Sequence, residues 1–504
     1  MKIVKLLIVI SVFSILTGSV CEKERFVLKE ARGIWVSRWE WAVEHDGFYE
    51  EVQKNRIIEI LDNAQRAKFN IVLFQVRGNG DAFYRSNYEP WSALLSDALG
   101  QDPGWDPLEF ALEHAHRRGL ELHAWFNTFP AWRGTTAPAY STPEHVYRRH
   151  PEWLICDRNG NPMPLSNGYV YLSPGIPRAR QYIHEVAMDI VYNYDIDGIH
   201  FDYIRYPEKA SGLGYSHDPL SVQLFGTHNG NPDRLNWADW QRENINIFVR
   251  QFYDAATDIK PWVKISAAVI GKYDYSEWNG YHVVFQDAVR WVREGTMDFV
   301  VPMIYWPNDH PTSGFEDVTR YWHRLTGSDR LFPGMLINRV GEEDWPENEL
   351  IKQLGIAREY SRGMVFFSYG GLEKMSADRG FQYQANVPAM PWKISAMPPA
   401  PVNVHAKFLS NGVVRISWDF NGMSQDYRFN VFRSNSSPVD CTSAQYLVHV
   451  SPLAETHFYD SDVEAGQDYH YAVTALDRVG NESLPSVDAG VRVPYYAIAE
   501  KLTN

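Results

Sequence analysis

DGIHFDYIRYP, Asp197 to Pro207, is a short apolar run that opens at Gly198 and ends on a carboxylate, a phenol and a guanidinium: Asp202, Tyr203 and Arg205. It reads as a strand covered on both faces. Side chains alternate along a strand, so His200, Asp202 and Ile204 share one face. An acid at the C-terminal end of a parallel strand is where a barrel enzyme holds its chemistry. If that face points along the barrel axis, Asp202 stands at the mouth. The blander reading is a core strand with a salt bridge at its end.

Working outward, similar runs recur before and after this one. They are Arg32–Trp39, Asn70–Gly78, Leu120–Thr128, Val263–Gly271, Met297–Trp306, Leu331–Arg339 and Gly363–Gly371, and Ile196–Ile204 makes the eighth. The segments between them carry helix signals. Asp106 and Pro107 form a cap with proline at the first helical position, and Gly119 follows as a stop. Ile183, Val186, Ala187, Ile190 and Val191 make an apolar stripe at helical spacing. Eight right-handed βα units close most simply into a (β/α)8 TIM barrel, and the spacing predicts one over 28–393. The rival, an open doubly wound sheet, would want a Gly-rich nucleotide turn that is missing. Two long connections, Phe129–Ile176 and Pro207–Asn236, follow strand ends, and Trp132, Tyr140, Trp153, Tyr169 and Tyr171 make the first too aromatic for a disordered loop.

Beyond a Met-, Pro- and Ala-rich linker (Ala389–Pro401) the pattern changes to short alternating strands with turns. This predicts a small all-β sandwich over 398–495, with Trp418 in its core. At the other end a short basic region and an apolar run from Leu6 to Leu16 read as a signal peptide over 1–20, too short to span a bilayer. Export to the periplasm, cell surface or medium is the expectation. Cys21 stands where a lipoprotein cysteine would, although Val20 before it is bulky, so a membrane tether through Cys21 is left open. The other two cysteines, Cys156 and Cys441, lie in different expected domains and form no CxxC pair.

The net charge of −14 argues against nucleic acid or an anionic membrane as the main partner. Aromatics make up 14% of the chain, which suits stacking on sugar faces. Neither a metal pattern nor a P-loop nor a nucleophile elbow is present, and RGNGDAFY (Arg77–Tyr84) lacks the GxGxxG spacing. No metal and no cofactor is therefore expected.

What remains is polar and aromatic groups at strand ends. Glu40 lies between Trp39 and Trp41; Gln75, Arg77 and Asp81 close the second strand; His123, Trp125 and Asn127 share a face of the third. Tyr305 and Trp306 end the sixth, and Tyr369 with Glu373 ends the eighth. Singly, each has a dull explanation: a core histidine at 123, a surface acid at 40. Jointly they bring to one end of a barrel the equipment of glycoside hydrolysis, which uses two carboxyls and aromatic faces. Asp202 is the expected nucleophile or base, kept ionised by Arg205 or Arg77. Its acid partner should sit among apolar groups, which Glu40 fits, with Asp81 and Glu373 as competing candidates that the sequence does not rank. Gln75, Arg77, His123, Trp125, Asn127, His200, Tyr203, Arg205, Tyr305 and Trp306 are expected to bind a polysaccharide.

The pieces ARGIWVSR, FNIVLFQVRGNGDAFYRSNYEPWS, DPLEFALEHAHRRGLELHAWFN, HPEW, YDIDGIHFDYIRYP and DFVVPMIYW resemble, in order, the glycosyl-hydrolase-like 10 family. The resemblance implies a TIM barrel, export to the cell envelope and action on a glycan. A characterised branch cuts peptide-free peptidoglycan strands between the amino sugars, which makes such strands the first-guess substrate. Two alternatives stand beside it: another polysaccharide, of the α-glucan type, and a glycan-binding protein without turnover. The resemblance also implies Asp202 as a catalytic residue. Tyr203 stands where some members carry a second acid. The run is similar too to the DGxDxDxE strand of family 18 chitinases, but His200 and Ile204 occupy the positions of its middle Asp and its Glu. The run DYHYAVTALDRVGNES (Asp468–Ser483) resembles a fibronectin type III domain.

Overall fold

The computed structural model describes residues 27–42, 49–208, 214–342, 345–346, 348–375, 380–409, 412–423 and 426–495. The expected signal peptide and Cys21 lie outside the described residues. The chain divides into two compact units.

The first unit, Ala31–Arg66 with Ile71–Met375, is a closed eight-stranded parallel barrel. Its strands are β1 (Ala31–Val36), β2 (Ile71–Arg77), β3 (Glu121–Asn127), β4 (Gly198–Asp202), β5 (Lys264–Ile270), β6 (Phe299–Met303), β7 (Gly334–Leu336) and β8 (Gly363–Phe367). Each falls within one of the eight apolar runs read from sequence, apart from the first residue of β1. They pair in sequence order and β8 closes on β1. The crossovers carry α1 (Glu50–Arg66), α2 (Pro107–His116), α3 (Pro177–Asn193), α4 (Trp237–Ile259), α5 (Ala288–Arg293), α6 (Phe315–Thr326) and α7 (Glu349–Tyr360). The Asp106 carboxylate caps α2 by accepting from Leu108 N and Glu109 N at 3.0 and 3.1 Å.

Two layers of side chains define the sheet. On the outer face Phe126, Phe201, Phe248 and Phe252 stack edge to face, fastening β3 and β4 to α4. On the inner face stand Glu121, His123, Trp125 and Asn127 of β3 and His200 and Asp202 of β4, in register as Trp125↔His200 and Asn127↔Asp202. The N-terminal end of the interior holds a buried ion pair, with Lys264 Nζ donating to both Glu121 oxygens at 2.9 Å. Gly198 leaves room there: a Cβ would lie 2.5 Å from His123 Nδ1. The long connection after β3 folds into a hairpin of Pro130–Gly134 with Ser166–Tyr171, which carries Tyr169 and Tyr171.

The second unit gathers 27–30, Ala67–Asn70 and the described residues from 380 onward. It holds two antiparallel sheets. One has three strands, β9 (Val402–Phe408), β10 (Val414–Asp419) and β13 (His457–Asp460). The other has four: β11 (Tyr427–Ser434), β12 (Leu447–Val450), β14 (Asp468–Asp477) and β15 (Ala489–Arg492). Trp418, Phe429, Val431, Tyr471 and Val473 are buried together in its core, so the tryptophan singled out in sequence is a core residue.

Candidate active site

The C-terminal end of β4 delivers Asp202 to the barrel mouth, 7% exposed. Strand pairing stops there because Tyr203 turns to φ 50°, a left-handed conformation that costs a non-glycine residue about 1 kcal/mol or more. The turn aims the Tyr203 N–H at Asp202 Oδ1 (2.6 Å) and brings Arg205 back, its Nη1 3.5 Å from the same oxygen. The Thr128 N–H and hydroxyl both donate to the Asp202 carbonyl, at 2.8 and 2.9 Å, pinning the strand end to the β3 side.

Burial is the largest influence on the Asp202 carboxyl and pushes its pKa up; Arg205, the Tyr203 N–H and the Trp125 indole pull it down without cancelling the rise. The expectation that an arginine simply keeps Asp202 ionised is thus only half the balance. A carboxyl held above its ordinary value can carry a proton and give it up, as a general acid or base must.

Tyrosines enclose this carboxyl. The Tyr169 and Tyr171 rings lie 5.0 and 6.3 Å from Tyr203, and Arg205 rests over the Tyr203 ring at 4.5 Å. Burial first, then the Asp202 charge, raises the pKa of Tyr305 well above its ordinary value, which places this phenol beside the carboxylate as a neutral donor. Tyr203, Arg205 and Trp125 therefore gather at Asp202, and Tyr305 lies within its electrostatic reach.

Others of the expected residues are engaged in different contacts. Gln75 and Asn127 bond to one another at 3.4 Å, and Gln75 also accepts from Arg38 N, so the pair braces the strand ends. His123 and His200 do face inward, but they lie deeper along their strands than Asp202 and are fully buried; His200 Nδ1 meets Ser266 Oγ at 2.8 Å. Burial and the neighbouring His123 hold His200 well below the usual imidazole pKa, hence neutral. Arg77 does not reach Asp202. A register shift between Gln75 and Arg77 puts it opposite Phe126, on the outer face, where it pairs doubly with Glu89 at 2.7 and 2.8 Å. Trp306 takes Lys272 over its ring at 4.9 Å and has His310 as an aromatic neighbour. Asp81 Oδ1 accepts from Asn79 N at 2.9 Å, and Glu373 is exposed.

Glu40 lies on a helical turn, Arg38–Trp41, and lines one cavity with Trp39 and Trp41. Trp39 is 48% exposed, and Trp41 is buried against Phe74 at 5.0 Å. The Glu40 carboxylate accepts from Ser37 N (2.6 Å), Ser368 Oγ (2.7 Å) and Gly370 N (2.6 Å). Three donors on two oxygens suit an acceptor that ties the β1 end to the β8 end, rather than a proton donor.

One residue at this mouth escaped the sequence reading. Arg38 follows β1, is 2% exposed, and donates through Nη2 to Asn79 Oδ1 at 3.2 Å and Tyr169 OH at 3.4 Å. Its position two residues past a strand end was the available signal, but the neighbouring acid at 40 drew the attention.

Comparison with known proteins fits this geometry. Residues 30–340 match the family model described as Glycosyl hydrolase-like 10. The chain is 28% identical over 498 residues to Glycosyl hydrolase YngK of Bacillus subtilis (strain 168), covering 91% of this chain and 92% of that one. It is 29% identical over 392 residues to Glycosyl hydrolase DigH of Escherichia coli (strain K12), covering 70% of this chain and 86% of that one. Among solved structures it is similar to the PgaB (BpsB) glycoside hydrolase domain from Bordetella bronchiseptica. That likeness has a TM-score of 0.46 at 14% identity over 69% of this chain and 97% of that one, too distant to carry any residue across. With its family model spanning the barrel strands from β1 to β7, this chain belongs to the glycosyl hydrolase-like 10 family.

Proposed function

We propose that this protein is an exported glycoside hydrolase that cleaves a cell-envelope or extracellular polysaccharide, with peptide-free peptidoglycan strands as the first substrate to try. The observation that carries the reading is Asp202: a buried carboxyl with a raised pKa, at the C-terminal end of a barrel strand, ringed by Tyr203, Tyr305 and Trp125. Aromatic faces offer stacking for sugar rings, and phenol and indole donors offer bonds to hydroxyls. The relatives named glycosyl hydrolases support the same class. In this reading Asp202 exchanges the proton of the glycosidic oxygen or of the attacking water. Residues 1–20 direct export, Cys21 offers a tether, and the two-sheet unit is a fibronectin type III-like spacer or binding module.

The test is product release by mass spectrometry from peptide-free peptidoglycan strands, wild type beside Asp202→Asn. Cleavage that vanishes in the variant supports the proposal; cleavage that survives removes Asp202 from the chemistry.

A second reading, a glycan-binding protein without turnover, is favoured by one observation. The Glu40 carboxylate is occupied by three donors, and the charges bearing most strongly on Tyr203, Tyr171 and Tyr305 are Asp202 and arginine. A two-carboxylate mechanism wants a partner within about 10 Å. Tight binding of a polysaccharide panel with no products from any of them would favour this second reading.

A further inference from the structure

Of the other arginines expected at the site, Arg77 is spent on Glu89 on the outer face and Arg205 on Asp202 at the mouth. Arg38 is different. Among the described residues it forms no ion pair, and its side-chain partners are both neutral, the Asn79 amide oxygen and the Tyr169 hydroxyl. Its planar face lies 4.8 Å over Trp39. Asp81 accepts from the Asn79 N–H. Space for this guanidinium is reserved by the backbone: a Cβ at Gly78 would lie 2.5 Å from Arg38 Nη1. A buried cation without a counter-charge is costly in an empty site, and an arriving anion offsets that cost.

The position says what the anion belongs to. Tyr169 links Arg38 to Tyr203, whose own N–H holds Asp202, so Arg38, Tyr169, Tyr203 and Asp202 form one continuous wall. The wall carries two guanidiniums and one carboxylate, on a chain whose net charge is −14. Resting on the reading of this mouth as a glycan cleft, we infer that Arg38, with Tyr169, binds a carboxylate borne by a sugar unit at or next to the bond that Asp202 addresses. The ligand class is an acidic glycan, and Arg38 is its specificity-determining residue. A guanidinium suits the task because its fork matches the two carboxylate oxygens.

The test uses the full-length protein and two polymers: peptide-free peptidoglycan strands, whose muramic units carry a carboxylate, and the same strands with those carboxyls converted to neutral methyl amides. Binding to Asp202→Asn is measured by calorimetry, and cleavage by wild type is followed alongside. The acidic polymer is expected to bind about tenfold or more tighter than the amidated one, the effect of one charge-assisted contact. Arg38→Gln in the same background should bring the ratio close to one, while Arg38→Lys should keep part of it. Equal binding of the two polymers overturns the inference, as does binding of neither, or a ratio that survives Arg38→Gln in a protein whose melting curve shows it folded. Should Arg38→Gln not fold, the ratio in Asp202→Asn and its partial retention in Arg38→Lys decide. A preference for the acidic polymer without any cleavage by wild type sinks only the hydrolase reading. Cleavage without a preference sinks only this one.

Discussion

Asp202 is pulled two ways, and the balance has consequences for stability as well as for chemistry. Its carboxyl binds a proton more tightly in the fold than in the unfolded chain, because burial outweighs Arg205, the Tyr203 N–H and Trp125. Between the ordinary value of 3.8 and the raised one, the folded protein holds a proton that the unfolded chain has released. Stability therefore falls as pH rises through that window and stays lowered above it. Asp202→Asn has no such proton. Melting curves from about pH 3 to about pH 8 should show the wild type losing ground to the variant as pH rises; parallel curves would mean that the carboxyl is not raised. Activity should drop by ~10²–10⁴-fold in the variant. If Asp202 is the acid, wild-type kcat falls as pH rises through its raised pKa; if it is the base, kcat rises there. Glu40 makes the contrasting case. Its carboxylate holds three donors from the ends of β1 and β8. Glu40→Gln keeps the shape but not the charge, and it should cost about 1.5–3 kcal/mol in a denaturant titration. Turnover should stay within about tenfold, a smaller loss than removal of a general acid gives. A loss of turnover at unchanged stability would instead make Glu40 the acid partner.

At the scale of elements, the strands carry the site by their alternation, and the alternation explains both what was legible and what was not. Apolar runs bounded by glycine and polar residues located all eight barrel strands, because a parallel strand buried on both faces has almost no other composition. The period of two also put His123, Trp125, Asn127, His200 and Asp202 on one face correctly. It says which face, not which depth, so the two histidines were expected at the mouth although they lie deeper along their strands than Asp202. Arg77 escaped for a different reason. The register slips between Gln75 and Arg77, and a one-residue slip moves a side chain to the other face. Glu40 does line one cavity with its flanking tryptophans, but two of the donors that hold its carboxylate, Ser368 and Gly370, come from the end of β8, which sequence adjacency does not encode. Tyr169 and Arg38 come from a hairpin and a turn whose approach to β4 no local pattern encodes. Two changes test the element-level account. Gly198→Ala would put a Cβ 2.5 Å from His123 Nδ1 in the middle of the sheet, and should cost about 1–3 kcal/mol by overpacking. Lys264→Met removes one cationic partner of the buried Glu121 carboxylate, and should cost about 3–5 kcal/mol. Urea midpoints measure both. In Lys264→Met, turnover per folded molecule should hold, because the pair lies at the opposite end of the interior from Asp202.

For the molecule as a whole, the two units are not simply consecutive in the chain. The unit that contains the sandwich takes in residues 27–30 as well as the C-terminal strands, so both described ends of the chain belong to it. Leu28 is 7% exposed and packs in a cluster with Phe432, Val439, Ala444, Leu447 and Ala472. Close by, Glu30 N donates to the Asn386 carbonyl at 2.9 Å and Asn386 N to the Leu28 carbonyl at 2.7 Å, so the segment is held by backbone bonds too. Composition could not show this, since the linker-like stretch before 401 invites a cut that treats the sandwich as a self-sufficient tail. A fragment of residues 398–495 would lack Leu28, Glu30 and Asn386 and would present the cluster around Phe432 to water. Leu28→Ala in the full chain isolates the packing part of that loss. Removing a buried leucine should cost the unit about 2–5 kcal/mol. Scanning calorimetry, with Trp418 fluorescence reporting on the sandwich core, should show the sandwich transition moved to lower temperature in Leu28→Ala and further still in the 398–495 fragment. A fragment that melts at the temperature of the intact chain would show that residues 27–30 contribute nothing to the sandwich, and that the sequence boundary near 398 is the physical one.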